Sequence, residues 1–535
     1  MSAVDDLCRS YLDARRHLDP AEGSGAGAAE HDSRLGSFDA VSMRAHVAAY
    51  RALAGAAEEV AVANLQEEID RTALLDDIRV GIFRFENERP HERNPDYWLS
   101  HLFQGLYTLL ARPGGHLAER ARPALDRLRA APAFLDSART TLRQPPAIFI
   151  DAALASLGGG GELVVQVAAT FGAAAPSLAE SLNTAATGTL QALQGFGRAL
   201  NTDIQPNDDP LAFAIGEEQF GRRLHHEHAL SSAAPEIWRY GMHLQQEVEA
   251  ELVTVGRTID PTRPWREVAE RLRDDSVPGS EVLAFYRAEV DRADEFVRSR
   301  AVVTVPDGPV NVVSTPSFLA ALVPFAAYDP PPVELPDRVG RFYVTVPSAT
   351  ASAGAKAQRG HCVHEIPSTV VHEAYPGHHL QLLTAHSLAS EVRRHLWTPL
   401  TVEGWALYCE SMMADAGYFG TPEARLFHLI NLLWRAIRIT LDVGLHTRGM
   451  TPLEAVDQLA GRLPMERRNA EAEVRRYCAM PTYQMSYAVG RRELLKLRQD
   501  YEARAGATFS PAGFHTDLLS YGGLPISLAR WGMGL

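Results

Sequence analysis

The chain is poor in cysteine, and that scarcity excludes two kinds of site. Its 535 residues hold four cysteines, Cys8, Cys362, Cys409 and Cys478, with no CxxC pair among them. A structural zinc knuckle or a dithiol redox motif needs such pairs, so neither is expected. Four scattered thiols read as small buried residues and suit a reducing cytoplasm. Long apolar runs are also missing. No stretch reaches the roughly eighteen unbroken apolar residues of a membrane span, and MSAVDDLCRSYLDARRHLDP has no apolar secretion core. The expectation is a cytoplasmic protein with no membrane partner. Lysine is scarce, and 52 basic residues face 66 acidic ones, a formal charge of −14. That balance argues against a nucleic-acid partner. No internal repeat is visible, and nothing fixes an oligomeric state.

What is present is mostly helical patterning. Residues 1–20 read as a helix, and 21–37 (AEGSGAGAAEHDSRLGS) as a loose linker. Residues 38–300 form a helical lobe with apolar residues at three- and four-residue steps. Breaks are expected at Pro113-Gly114-Gly115, Pro145-Pro146 and the four glycines 158–161. The glycine run has no Gly-Lys-Ser/Thr ending and is no phosphate loop. The three histidines of His225-His226-Glu227-His228 spread around a helix axis instead of converging. After Arg300 short β-branched runs appear, at 301–306, 310–313 and 342–346, with a turn at Asp329-Pro330-Pro331-Pro332. They predict a small sheet in a third segment, 301–535, whose remainder from 366 onward is helical.

The chemistry concentrates in HEAYPGHHLQ (372–381) and in EGWALYCE (403–410). Two imidazoles and a carboxylate can hold zinc, and one more carboxylate can activate water. On a regular helix the second histidine would stand at i+4, but that position is Pro376. An unbroken helix would turn His378 about 240° from His372 and carry His379 about 10.5 Å along the axis. Pro376-Gly377 therefore predicts a bulge or kink. Glu403 and Glu410 share one face of an apolar helix, and buried carboxylates need partners. Glu403 can ligate while Glu410 accepts from a ligating imidazole. Glu373 can take a proton from water and pass it to a leaving amine.

These motifs, with Leu441 to His446 (LDVGLH), resemble the bacterial domain-of-unknown-function 885 family, grouped by likeness with gluzincin zinc metallopeptidases. The likeness runs from about residue 40 to the C-terminus. It implies a mainly α, gluzincin-like metallohydrolase with a small β-sheet beside a deep cleft, and one Zn2+ per chain. A more distant comparison is the HExGH pattern of thimet-oligopeptidase-like peptidases, where a glutamate follows the second histidine by about 25 residues. That spacing favours His378 with Glu403 over His379. The resemblance also implies a phenol at the oxyanion, for which Tyr487 in the PTYQMSYAVG segment is the candidate. His379, Glu410, His446, Arg438 and His515 are candidates for supporting or substrate contacts.

The reading that results is a zinc-dependent hydrolase of a peptide or small amide substrate. His372, His378 and Glu403 hold the metal, and Glu373 and Tyr487 are catalytic. Two rivals remain: a metal-dependent hydrolase of a specialised ester or acylated metabolite, and a helical binding protein without catalysis.

Overall fold

Periodic apolar spacing governs most of the chain, and the fold is mainly helical with one small sheet. The computed structural model describes residues 2–316, 325–347 and 359–535. They form two compact units: Met1–Phe213 with Pro331–Asp337, and Ala214–Pro330 with Arg338–Leu535.

In the first unit, the stretch expected to be a loose linker is ordered. It forms a helix, Pro20–Ala26, and a single turn, Ala29–His31. The reason is Arg127, fully buried on the helix Leu117–Thr141. A buried guanidinium must find acceptors. It donates to the carbonyls of Pro20, His31, Arg34 and Gly105 and to Ser24 Oγ. The glycine run 158–161 is not a break either, because the helix Ala147–Ala174 passes straight through it. A Cβ at Gly160 would overlap the ring of Phe103, so close packing accounts for that glycine. By length and composition this helix is apolar enough to cross a bilayer. It buries one face, including Phe149, Ile150, Val164 and Phe171, and exposes Asp151 and Glu162.

The boundary between the units falls at 213/214, whereas the sequence reading drew it near 300. The helix α1 (Ala234–Ile259) explains the difference. Its buried stripe, Ile237, Gly241, Leu244, Val248 and Leu252, lies along a helix some two hundred residues downstream. A Cβ at Gly241 would press on Ile439 and Thr440, and Gln245 Nε2 donates to Ala436 O at 3.1 Å.

The sheet has strands β1 (Val310–Ser314), β2 (Ala326–Asp329) and β3 (Gly340–Val344) in the order β1-β3-β2. β1 runs parallel to β3 and β2 antiparallel to it. The run 301–306 stays outside the sheet. β2 (Ala-Ala-Tyr-Asp) carries little β signature, and pairing with β3 decides its conformation.

Five helices then build the site: α2 (Ile366–Glu373), α3 (His378–Ala385), α4 (Pro399–Asp415), α5 (Pro422–Thr447) and α6 (Tyr483–Ala505). α4 is buried from Pro399 through Met413, as expected of a helix apolar on every side. It crosses α6 where Gly404 meets Gly490: a Cβ on Gly404 would lie 2.7 Å from Gly490 Cα.

Candidate metal centre

The kink predicted inside one helix is a gap between two. α2 ends at Glu373, and α3 begins at His378 with Gly377 as its N-cap. A side chain at Gly377 would overlap the carbonyl oxygens of Val371 and His372, so the chain can fold back this tightly only through glycine. Trp405 on α4 locks the turn, its indole N–H donating to Pro376 O at 2.9 Å and Gly377 O at 3.3 Å. The reversal swings His378 back beside His372: their rings stand 4.8 Å apart and nearly perpendicular.

Glu403, one turn into α4, faces both. Its Oε2 lies 3.6 Å from His372 Nε2 and 3.4 Å from His378 Nε2. One donor atom from each residue lies within 4.8 Å of the others. Three ligands about 2.1 Å from a tetrahedral ion sit about 3.4 Å apart, so the donor set and the two spacings to Glu403 fit zinc. His372 Nδ1 is 2.8 Å from Glu410 Oε1, which commits that nitrogen to Glu410 and leaves Nε2 as the atom that would ligate a metal. Ser368 Oγ donates to Glu410 Oε2 at 2.7 Å, and His428 Nδ1 stands 3.6 Å from that oxygen. Burial alone would push His372 down, but its hydrogen bonds to Glu403 and Glu410 outweigh that and hold its pKa up at about 9. Burial pushes Glu403 the opposite way, and His372 and His378 hold it well below the usual carboxylate range.

α6 brings two phenols. Tyr487 stacks on His372 with 6.2 Å between centroids and 17° between planes. Burial and the nearby Glu403 push its pKa up to about 12, so it stays a protonated donor. Tyr483 donates to Glu403 Oε1 at 2.6 Å. Both are positioned from the N-terminus of α6, where Thr482 adopts a left-handed conformation (φ 66°). Asp442 on α5 accepts the backbone N–H groups of Thr482 at 3.0 Å and Met485 at 2.9 Å.

Glu373 and His379 face the sheet. β2 forms its edge, and Glu373 Oε2 accepts the backbone N–H of Tyr328 at 2.9 Å. His379 is fully buried, with Nδ1 2.9 Å from Tyr328 Oη and Nε2 3.1 Å from Gly308 O. Both ring nitrogens are engaged there, and burial lowers its pKa to about 4.

Three other residues singled out from the sequence lie apart from this centre. Arg438 sits behind Tyr487, its Cζ 4.9 Å from the ring, with donors committed to Tyr477 Oη and Glu473, both at 3.0 Å. His446 bonds Tyr477 O at 3.0 Å. His515 bridges Tyr408 Oη at 2.8 Å and Val302 O at 2.6 Å. Buried histidines in such bonds serve packing. His228 likewise bonds Thr398 Oγ1 at 2.8 Å. Sequence reasoning missed Ser368, His428, Tyr328 and Tyr483 as neighbours of the centre. Only Tyr483, one turn before Tyr487 on the same helix face, carried a usable signal.

A family model described as a bacterial protein of unknown function (DUF885) matches residues 20–533. No curated protein is a match. Two solved structures share the fold. One, a candidate lipoprotein of unknown function from Shewanella oneidensis, has 21% identity and TM-score 0.82, with all of both chains covered. The other, a candidate lipoprotein from Colwellia psychrerythraea, has 18% identity and TM-score 0.84. It covers 100% of this chain and 99% of its own.

Proposed function

The chain belongs to the bacterial DUF885 family, and from that premise we propose that it is a zinc-dependent hydrolase, of gluzincin type, acting on a peptide or another amide. The observation that carries the reading is the convergence of His372, His378 and Glu403, with His372 fixed from behind by Glu410. A zinc ion held by these three would act as a Lewis acid on the scissile carbonyl and on a water molecule.

The chain's own residues supply the rest. Glu373, next to His372, accepts a proton from the attacking water and delivers it to the leaving nitrogen. The edge amide of Tyr328 on one of its oxygens fixes the orientation of that carboxylate. Tyr487, protonated and stacked on His372, donates to the oxyanion as charge develops. Tyr483 holds Glu403 Oε1 and so leaves Oε2 turned toward the histidines.

Glu373→Gln tests the assignment. It should retain metal and lose about 10²–10⁴-fold in turnover, the usual worth of a general base. Wild-type turnover in that variant would sink the base assignment. We also place the protein in the cytoplasm, because its four cysteines are free and buried. The lipoprotein descriptions of the two solved structures favour the cell envelope instead, and fractionation of the native cells separates the two.

A further inference from the structure

α5 carries a polar stripe, His428, Asn431, Arg435, Arg438, Asp442 and His446, at helical spacing, and its His428 and Arg438 touch residues that border the centre. His428, Arg438, Asp442 and His446 each meet a partner described above. Arg435 does not. Among the described residues its one hydrogen bond is from Nη1 to Asn431 O of its own helix, at 3.3 Å. Its Nε is buried without a partner, and among the described residues no carboxylate forms an ion pair with it. Burying a guanidinium edge without an acceptor is costly.

Its position is bracketed on both sides. His428, two turns earlier, reaches Glu410, and Arg438, one turn later, lies over Tyr487, which stacks on His372. Arg435 lies within electrostatic reach of both Glu410 and Tyr487. Nearby Arg438 and Arg476 share Glu473, so their charges are met within the protein. The Arg435 charge is met only at a distance by Glu410 and by the Trp434 ring, at the edge of the proposed catalytic machinery. The Nε atom is covered by protein, but Nη2 is not among the buried unpaired atoms of this half-buried side chain, and a guanidinium N–H there can donate to an incoming carboxylate.

Building on the hydrolase reading, we propose that Arg435 binds a carboxylate of the substrate close to the scissile amide, so that the enzyme selects peptides or N-acyl amino acids bearing a free carboxylate there. The carboxylate comes from a chain terminus or from an acidic side chain.

Calorimetric titration of the zinc-loaded full chain carrying Glu373→Gln tests recognition apart from bond cleavage. The probes are N-acetyl-Ala-Ala as the free acid, the same compound as its amide, and N-acetyl-Glu-Ala amide. A charge-assisted bond to a carboxylate corresponds to about 10- to 100-fold in affinity. The free acid or the glutamyl amide should exceed the neutral amide by that factor, and whichever does so identifies the source. Adding Arg435→Gln should abolish the preference while melting temperature holds, and Arg435→Lys should restore part of it. Equal binding of all three probes, a preference that survives Arg435→Gln, or no binding of any probe would overturn the proposal. No hydrolysis of the preferred probe by the zinc-loaded chain with Glu373 intact, alongside an intact acid preference, would instead count against the hydrolase reading alone.

Discussion

Glu410→Gln isolates the role of a charge that lies outside the proposed ligand set. The carboxylate is 1% exposed, accepts from Ser368 Oγ at 2.7 Å and faces His372 Nδ1 at 2.8 Å. Glutamine has nearly the same shape, so no cavity opens, and its amide oxygen can still accept from His372 while its NH2 group meets Ser368. What disappears is the charge. A charge-assisted hydrogen bond stabilises by about 1.5–3 kcal/mol and a neutral one by about 1 kcal/mol. The difference, about 0.5–2 kcal/mol, makes His372 a poorer donor to the ion and corresponds to about 2- to 30-fold in zinc affinity. Glu410→Ala leaves His372 and Ser368 unpaired in a void and should lose about a hundredfold. Competition against a chromophoric zinc chelator at fixed pH reads both, with thermal melting as the folding control. If Glu410→Gln binds zinc within twofold of wild type and melts normally, Glu410 does not tune His372, and the orientation argument fails.

Three further outcomes follow from the same geometry. His378→Ala should lose the metal, whereas His379→Ala should keep it and lose about 2–4 kcal/mol of stability, since it surrenders two buried hydrogen bonds and a ring's packing; metal analysis with denaturant melts separates them, and metal loss in His379→Ala alone would redraw the ligand set. Gly490→Ala should destabilise by about 1–3 kcal/mol and impair the centre, because its Cβ would overlap Leu400 O and meet Gly404 Cα, forcing α4 and α6 apart; an unchanged melting temperature counts against the tight crossing. Zinc affinity should rise by about tenfold per pH unit below about 9, since zinc must displace the proton that Glu403 and Glu410 hold on His372. By the same sign, the stability that metal-free protein gains from this raised pKa is complete below about 6.5 and is lost as pH climbs through about 9; a flat zinc affinity between pH 6.5 and 8.5 would contradict both statements.

Local pattern carried the helical character of the chain, the presence of strands between 310 and 346, and the residue types of the centre. Apolar period and β-branching act over a few residues, so they can be read without the fold. It misled where distant groups override local preference. Glycines 158–161 look like a break until Phe103 fills the space over Gly160. The segment 21–37 looks loose until Arg127 gathers the carbonyls of His31 and Arg34.

The sequence by itself determined which chemistry is available: three histidines (His372, His378, His379) and three carboxylates (Glu373, Glu403, Glu410) within forty residues of one another, interrupted by Pro376-Gly377, where a regular helix would have kept the imidazoles apart. Only the tertiary structure decided how they are used. Whether His378 or His379 joins His372 depends on how Gly377 and Trp405 reverse the chain, and that reversal turns His379 to the sheet and His378 to Glu403. Tyr483, Ser368 and the unpaired Arg435 come from helices far apart in sequence. Their approach rests on the Gly404–Gly490 crossing and the burial of α4, non-local packing that no window of sequence records.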